Sequence, residues 1–456
     1  MPALSPAQVP TTLDDFLLPG TQPVTESGQP LTPFLTATEC AVCHEVEQPE
    51  EVPIATRWRG SMMAHATRDP MFQAALTIAN QDAAFAGDLC LRCHTPPGWL
   101  SGRSTPTDGS ALIPSDFDGV NCHFCHRLVD PVFEPGISPP QDADILAALE
   151  QAGLKPIAPG NGSFVVDPAD VRRGPFDDVP FNVHGDNVDI IPSPFHRSAD
   201  LCGTCHDVSN PVFRRQPDGS YALDPLGQPH ETLNKYDMFP VERTYSEWAQ
   251  SAFANGGVDL GGIFGGNHPT GVMVTCQDCH MPDTDAFGSG FDFPPFFRRP
   301  DVPAHDFNGG STWMLQAIRN LHPDALFDRH VQASQARARY MLQHAARLEV
   351  VQSGCDLRVR VVNQTGHKLP TGYPEGRRMW ITVEFRDDAL NVVFVHGAYD
   401  AVTATLTEAN TKVYEAILGL DAAMAQATGL PEGPSFHFAL NNKYFKDNRI
   451  PPQGFT

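Results

Sequence analysis

Cys40-Ala-Val-Cys43-His44, Cys90-Leu-Arg-Cys93-His94, Cys122-His-Phe-Cys125-His126, Cys202-Gly-Thr-Cys205-His206 and Cys276-Gln-Asp-Cys279-His280 repeat one pentapeptide pattern five times. With 11 cysteines and 18 histidines in 456 residues, chance composition yields about 0.01 such pentapeptides. Two thiols three positions apart on one helical turn can both reach the vinyl groups on one edge of a porphyrin and form thioethers. The adjacent imidazole then swings under the ring as proximal iron ligand. The spacing therefore predicts five covalently attached haems c and their iron. Cys40, Cys43, Cys90, Cys93, Cys122, Cys125, Cys202, Cys205, Cys276 and Cys279 would form the thioethers, and His44, His94, His126, His206 and His280 would be the proximal ligands. A redox Cys-x-x-Cys pair needs no following histidine, and zinc sites of four cysteines would leave one pair over. Cys355, outside any motif and next to an expected strand, reads as an inert buried thiol.

Thirteen histidines remain for the far side of the irons. Bis-histidine ligation favours the ferric state, whereas Met/His ligation raises the potential. His196, in Ser193-Pro-Phe-His196-Arg-Ser, stands in a Pro-bounded turn six residues before Cys202. His305 precedes Gly309-Gly310, where a backbone without side chains permits close approach to a ring. His367 lies in Thr365-Gly-His-Lys-Leu-Pro-Thr-Gly372, a loop between expected strands that suits presentation of a residue. His65 and His184 join these as distal candidates, with Met63 a rival to His65 on the same short turn. His123 and His268 rank below them, and His322, His330 and His344 read as surface residues on a helix.

Composition sets the frame. Lys+Arg 31 against Asp+Glu 54 leaves a formal charge of −23, which excludes a nucleic-acid binder, since phosphate binding needs clustered cations. Each haem would add two propionates and a ferric centre of about +1, making the loaded chain roughly 5 units more acidic. No apolar run reaches the 18 or so residues of a membrane span. Pro 43 and Gly 37 make up about 18% of the chain, too many for long regular elements and too few for low complexity. The expected fold class is α+β. Residues 1–38 form an extended Pro-rich arm with an apolar patch at Phe16-Leu17-Leu18, 39–310 a loop-rich pentahaem region with short helices wrapped around the porphyrins, and 311–348 a helical connector. Residues 349–456 form a β-sandwich-like module that stops before it is complete.

Helices are expected at 71–84, opened by Asp69 and Pro70, at 142–154, at 245–255 with Gly256 as stop signal, and at 313–321 and 331–348. Period-two alternation marks strands at 357–362, 379–385 and 392–396. Porphyrins would supply much of the apolar core, so the chain stripped of haem should not fold.

Beyond the five motifs, Trp58-Arg-Gly-Ser-Met-Met-Ala, Ser193-Pro-Phe-His-Arg-Ser, Cys276-Gln-Asp-Cys-His-Met-Pro and Thr365-Gly-His-Lys-Leu-Pro-Thr-Gly resemble segments of exported multihaem c-type cytochromes with a C-terminal β-sandwich-like module. The resemblance spans most of residues 40–456. It implies electron transfer through closely packed, mostly bis-His haems, and it supports His196, His305 and His367 as ligands; His65 lies where relatives often carry other residues. The leading expectation is an electron-transfer protein, passing electrons between exported redox partners or among like subunits of a filament (a nanowire) or surface complex. The alternative is a multihaem oxidoreductase with one open-coordinate haem. Haem c attachment occurs outside the cytoplasm, so periplasm or cell surface is expected. Met1–Ser5 lack the features of a signal peptide, as they would if the numbering starts after cleavage.

Overall fold

The computed structural model describes residues 9–45, 53–179, 184, 190–289, 298–409 and 411–456. The architecture is α+β, as expected: among the described residues, fourteen α-helices alternate with short strands in sheets of two or three. With Pro or Gly at about every sixth position, few stretches can keep a regular backbone for long. The longest helices are Pro70–Asp82 and Asp328–His344. The first begins as its sequence dictates, with the Asp69 carboxylate accepting from Met71 N at 2.8 Å and Pro70 in the first turn. It buries Phe72, Leu76 and Ala79, spaced along one face.

Two expected helices differ, and so do two residues. The helix at 245–255 is shorter, Thr244–Ala249, because Ser251 Oγ caps the Trp248 carbonyl at 2.7 Å and also accepts from Phe253 N, turning the chain away. The helix ending at 348 stops at His344, and a strand, Ala346–Ser353, follows at once. That strand pairs with Asp356–Asn363 across a two-residue turn, Gly354-Cys355, in which Gly354 takes φ +62°. Cys355 is therefore exposed at a hairpin tip and is not the buried thiol that its neighbours suggested. His330, expected at the surface, is 2% exposed and packs in the first turn of its helix against Phe327.

The C-terminal strands are small pieces. Val383–Arg386 pairs with Val392–His396, Met379–Trp380 with Val413–Tyr414, and Tyr399–Asp400 with Thr405–Leu406. A three-stranded sheet places Ala416–Leu420 between Gly433–Pro434 and Lys443–Asp447. Among the described residues no sheet of this region exceeds three strands, so the broad facing sheets of a sandwich are not found in these pairings.

The two largest buried clusters organise much of the chain. One joins Val9 and Phe16 to Ala79, Ala83 and Ala86, then to Val212, Phe213 and Phe239, and finally to Leu418, Leu420, Met424 and Leu440. N-terminal and C-terminal segments thus share a core. The other gathers Phe72, Leu76, Trp99, Phe124, Phe164 and Phe195 around the side chains of Cys90, Cys125 and Cys205. Buried cations tie loops to this second cluster. Arg92 lies over the Trp99 ring at 4.5 Å and donates to the carbonyls of Leu18, Pro19 and Gly162, which fixes the N-terminal segment on the body.

Candidate haem-attachment centres

Each motif starts or ends a short helix whose beginning the sequence specifies. Thr36 and Glu39 exchange hydrogen bonds before Cys40, Glu39 Oε2 accepting from Thr36 N at 2.7 Å. Asn121 Oδ1 accepts from Phe124 N at 2.9 Å before Cys122–Cys125. Thr275 and Asp278 form a second reciprocal box before Cys276–His280. Ser198 caps Ala199–Gly203. In Gly87–His94, Asn80 Oδ1 accepts from Gly87 N at 3.1 Å instead. In the fourth motif the glycine is required by packing: a Cβ on Gly203 would lie 2.4 Å from the Tyr245 ring.

The thiols sit in apolar surroundings. Burial pushes Cys90, Cys125 and Cys279 each up to about 12, an environment that favours an uncharged sulfur. Among the described residues no group of three or more His, Cys, Asp or Glu converges to hold a bare metal ion. Thiols of different motifs lie beside one another: Cys40 beside Cys122, Cys93 beside Cys205, and Cys202 beside Cys276. The first motif therefore neighbours the third, and the fourth neighbours the second and the fifth.

The five motif histidines share one feature that no spacing rule encodes. His44 Nδ1 lies 2.7 Å from Gly288 O, His94 Nδ1 3.2 Å from Ala66 O, His126 Nδ1 2.7 Å from Arg173 O, and His280 Nδ1 2.9 Å from Asn308 O. His206 Nδ1 lies 3.4 Å from Glu242 Oε1. Each of these acceptors can bond only an N–H, so Nδ1 carries the proton in all five rings, and Nε2 of each is left without a hydrogen-bond partner among the described residues. An imidazole held by its far nitrogen with Nε2 presented is the arrangement of a metal-ligating histidine. Burial lowers the proton affinity of His44, His94, His126 and His280. On His206, whose side chain is 48% exposed, the Glu242 carboxylate outweighs desolvation and raises the proton affinity of the ring.

Three of these rings face a second imidazole. Centroid separations are 6.2 Å for His44 and His184, 6.3 Å for His126 and His305, and 6.4 Å for His280 and His367, with ring planes 32°, 26° and 20° apart. Two imidazole–metal bonds of about 2 Å, plus about 1.1 Å from each nitrogen to its ring centre, require about 6.2 Å. The gaps fit an iron between the rings. His305 and His367 also repeat the tautomer pattern, with Nδ1 engaged by Pro303 O at 2.9 Å and Lys368 O at 3.1 Å. Burial lowers His305 to about 3 and His184 and His367 to about 4, so these rings stay neutral, as a ligand must. Haem c bound here would supply a one-electron redox iron.

The other candidates are placed differently. His196 stacks 5.5 Å from His126; its Nε2 bonds Cys125 O at 3.1 Å and its Nδ1 is buried with no partner. His65 is similar, with Nε2 on Arg59 O and an unpartnered buried Nδ1. His123 has both nitrogens occupied, Nδ1 by Leu35 N and Nε2 by Asp170. His268 meets only Thr270, at 3.4 Å, among the described residues, and no ring contact joins it to a motif histidine. Met63 shares the short helical turn of His65. Among the described residues no imidazole faces His94 or His206, and Phe72 stacks on His94 at 3.9 Å.

Several residues that orient these rings carry no sequence signal of their own. Arg173, whose carbonyl holds His126, is fixed by fully buried ion pairs to Asp142 at 2.6 Å and Asp167 at 2.7 Å. The loop 304–308 supplies both His305 and the Asn308 carbonyl that holds His280, and Asp306 is clamped by Arg57 at 2.9 Å and Arg337 at 3.2 Å. Glu247, 3% exposed, accepts from Lys368 N at 3.0 Å and Thr371 Oγ1 at 2.7 Å and pairs with Arg449 at 2.9 Å. It thereby grips the loop bearing His367.

Residues 39–127 match the family described as cytochrome c554 and c-prime. A solved structure, the penta-heme cytochrome c552 from Thermochromatium tepidum, is similar to this chain with 19% sequence identity over 92% of this chain and 85% of that one, at a TM-score of 0.47. No curated protein matches. Three of the five motifs fall inside the matched residues 39–127.

Proposed function

We propose that this chain carries five covalent haems c as a closely packed array and passes electrons between redox partner proteins outside the cytoplasm. The observation that carries the reading is the common state of the five motif histidines, each held at Nδ1 with Nε2 presented. The ten motif cysteines are the thioether residues. His44 and His184, His126 and His305, and His280 and His367 are the axial pairs. His65 and His196, each with an unpartnered buried Nδ1, are the further distal candidates, ahead of His123, His268 and Met63. The adjacent thiols support close packing of the first motif on the third and of the fourth on the second and fifth. No described helix is long and apolar enough to cross a membrane. The acidic balance of −23 suits partners with basic patches; like subunits in an assembly are a further class of partner.

Intact mass of the purified holoprotein and a pyridine haemochrome assay test the stoichiometry: five haems per chain is the expected result, and four or fewer refutes it. A second reading is an oxidoreductase with one open-coordinate haem. Electron paramagnetic resonance of the ferric protein separates the two. Low-spin signals alone refute the open site, whereas a high-spin signal of one iron per chain supports it.

A further inference from the structure

Of the five motif histidines, His206 alone meets a charged acceptor. The other four donate to main-chain carbonyls, whereas His206 Nδ1 faces Glu242 Oε1 at 3.4 Å. The placement is built into the fold. Strand Val208–Arg215 leaves the fourth motif directly, and its first residue, Val208, pairs with Glu242 at the end of strand Met238–Glu242. The carboxylate is oriented as well as positioned: Thr244 Oγ1 donates to the same oxygen at 3.1 Å, and the Glu242 side chain is 16% exposed. Thr244 in turn bonds Thr371 Oγ1 at 2.9 Å, so the group is braced from a second segment.

A carbonyl offers a partial charge to an imidazole N–H and a carboxylate offers a full one, so the second bond is roughly twice as strong. Pulling the Nδ1 proton harder leaves more electron density on Nε2, the nitrogen that meets iron, and a more basic ligand stabilises ferric over ferrous iron. We propose that Glu242 is a positioning residue that, through His206, makes the iron of the fourth motif the lowest-potential centre of the array. The inference rests on the five-haem reading above. It concerns the motif that neighbours two others, with Cys205 beside Cys93 and Cys202 beside Cys276.

The test is Glu242→Gln in the holoprotein, which keeps an acceptor beside His206 and removes its charge. Haem content is read by mass, and the potentials by a spectroelectrochemical titration resolved into components. At full haem content, the most negative component is expected to move upward while the others stay in place, and Glu242→Asp should return it toward the wild-type value. An unmoved lowest component, or an equal shift of all components, overturns the role of Glu242. If the glutamine variant does not assemble, Thr244→Val, which withdraws only the supporting hydroxyl, gives the same readout: a smaller upward shift of that component supports the role, and no shift overturns it. A wild-type mass short of five haems would instead overturn the stoichiometry on which the inference rests.

Discussion

Replacing Glu247 by Ala tests whether the loop carrying His367 is held in place by one buried carboxylate. The carboxylate accepts from Lys368 N and Thr371 Oγ1 and pairs with Arg449. Breaking a buried ion pair outright costs about 3–5 kcal/mol, mostly because the partner charge is orphaned. Arg449 is not orphaned here, since Asp447 keeps two contacts to it at 2.9 Å each. What is lost is two hydrogen bonds to a charged acceptor, worth about 1.5–3 kcal/mol each, so about 3 kcal/mol is the low-end cost to docking of the loop. At 1.4 kcal/mol per decade this multiplies the released population of residues 365–372 about 100-fold. An exogenous ligand such as imidazole or cyanide binds an iron only when its own histidine has left, so its apparent affinity rises by the same factor at that iron. Optical titration of ferric Glu247→Ala with either ligand is therefore expected to show one site of the array binding about 100-fold more tightly than in wild type, the others unchanged. Superimposable isotherms at equal haem content would refute the argument, because they would show that the loop is held by contacts other than Glu247.

Three further outcomes follow from other buried contacts. Arg173→Met leaves Asp142 and Asp167 buried without their cation and should lower unfolding stability by about 3–5 kcal/mol in urea denaturation followed by circular dichroism; a loss below about 1 kcal/mol contradicts the ion-pair account. His305→Met exchanges one imidazole facing His126 for a thioether and should raise the potential of a single component in a redox titration, whereas an unchanged set of potentials removes His305 from the ligands. Finally, Cys355 is exposed at a hairpin turn while the other ten cysteines are assigned to thioethers, so a thiol reagent should label the native and the denatured protein once each. A second reactive thiol in the denatured protein would mean an incomplete attachment.

How much of this was legible beforehand depends on whether the information is local. The helix Pro70–Asp82 was readable because its cap, its proline and its apolar face all lie within fourteen residues. The haem motifs were readable for the same reason. The first three residues of the strand Ala346–Ser353 read as the end of a helix: Arg347 and Leu348 suit a helix by propensity, and what makes them extended is pairing with Asp356–Asn363, a tertiary effect that overrides propensity. The one local hint was Gly354 between two runs of alternating apolar residues. Glu242 and Glu247 had no signal at all. Their roles come from register, Val208 opposite Glu242, and from contact with residues 368 and 371 across more than a hundred positions.

Site and fold are not separable in this chain. Residue 305 faces His126, while the Asn308 carbonyl three residues on holds His280 and Phe307 N donates to the carbonyl of that same histidine. One short loop therefore serves two centres. It is held by the Asp306 contacts to Arg57 and Arg337 and by Asn308 Oδ1, which accepts from Arg337 at 2.6 Å. Releasing that anchor would loosen a ligand at one iron and the orienting acceptor at another, so the effects of mutations there should not add as independent sites do. A double-mutant cycle between Arg337→Met and His305→Ala measures this directly. The coupling expected for groups in one hydrogen-bonded network is about 0.5–3 kcal/mol, and additivity would show that the two centres are held separately.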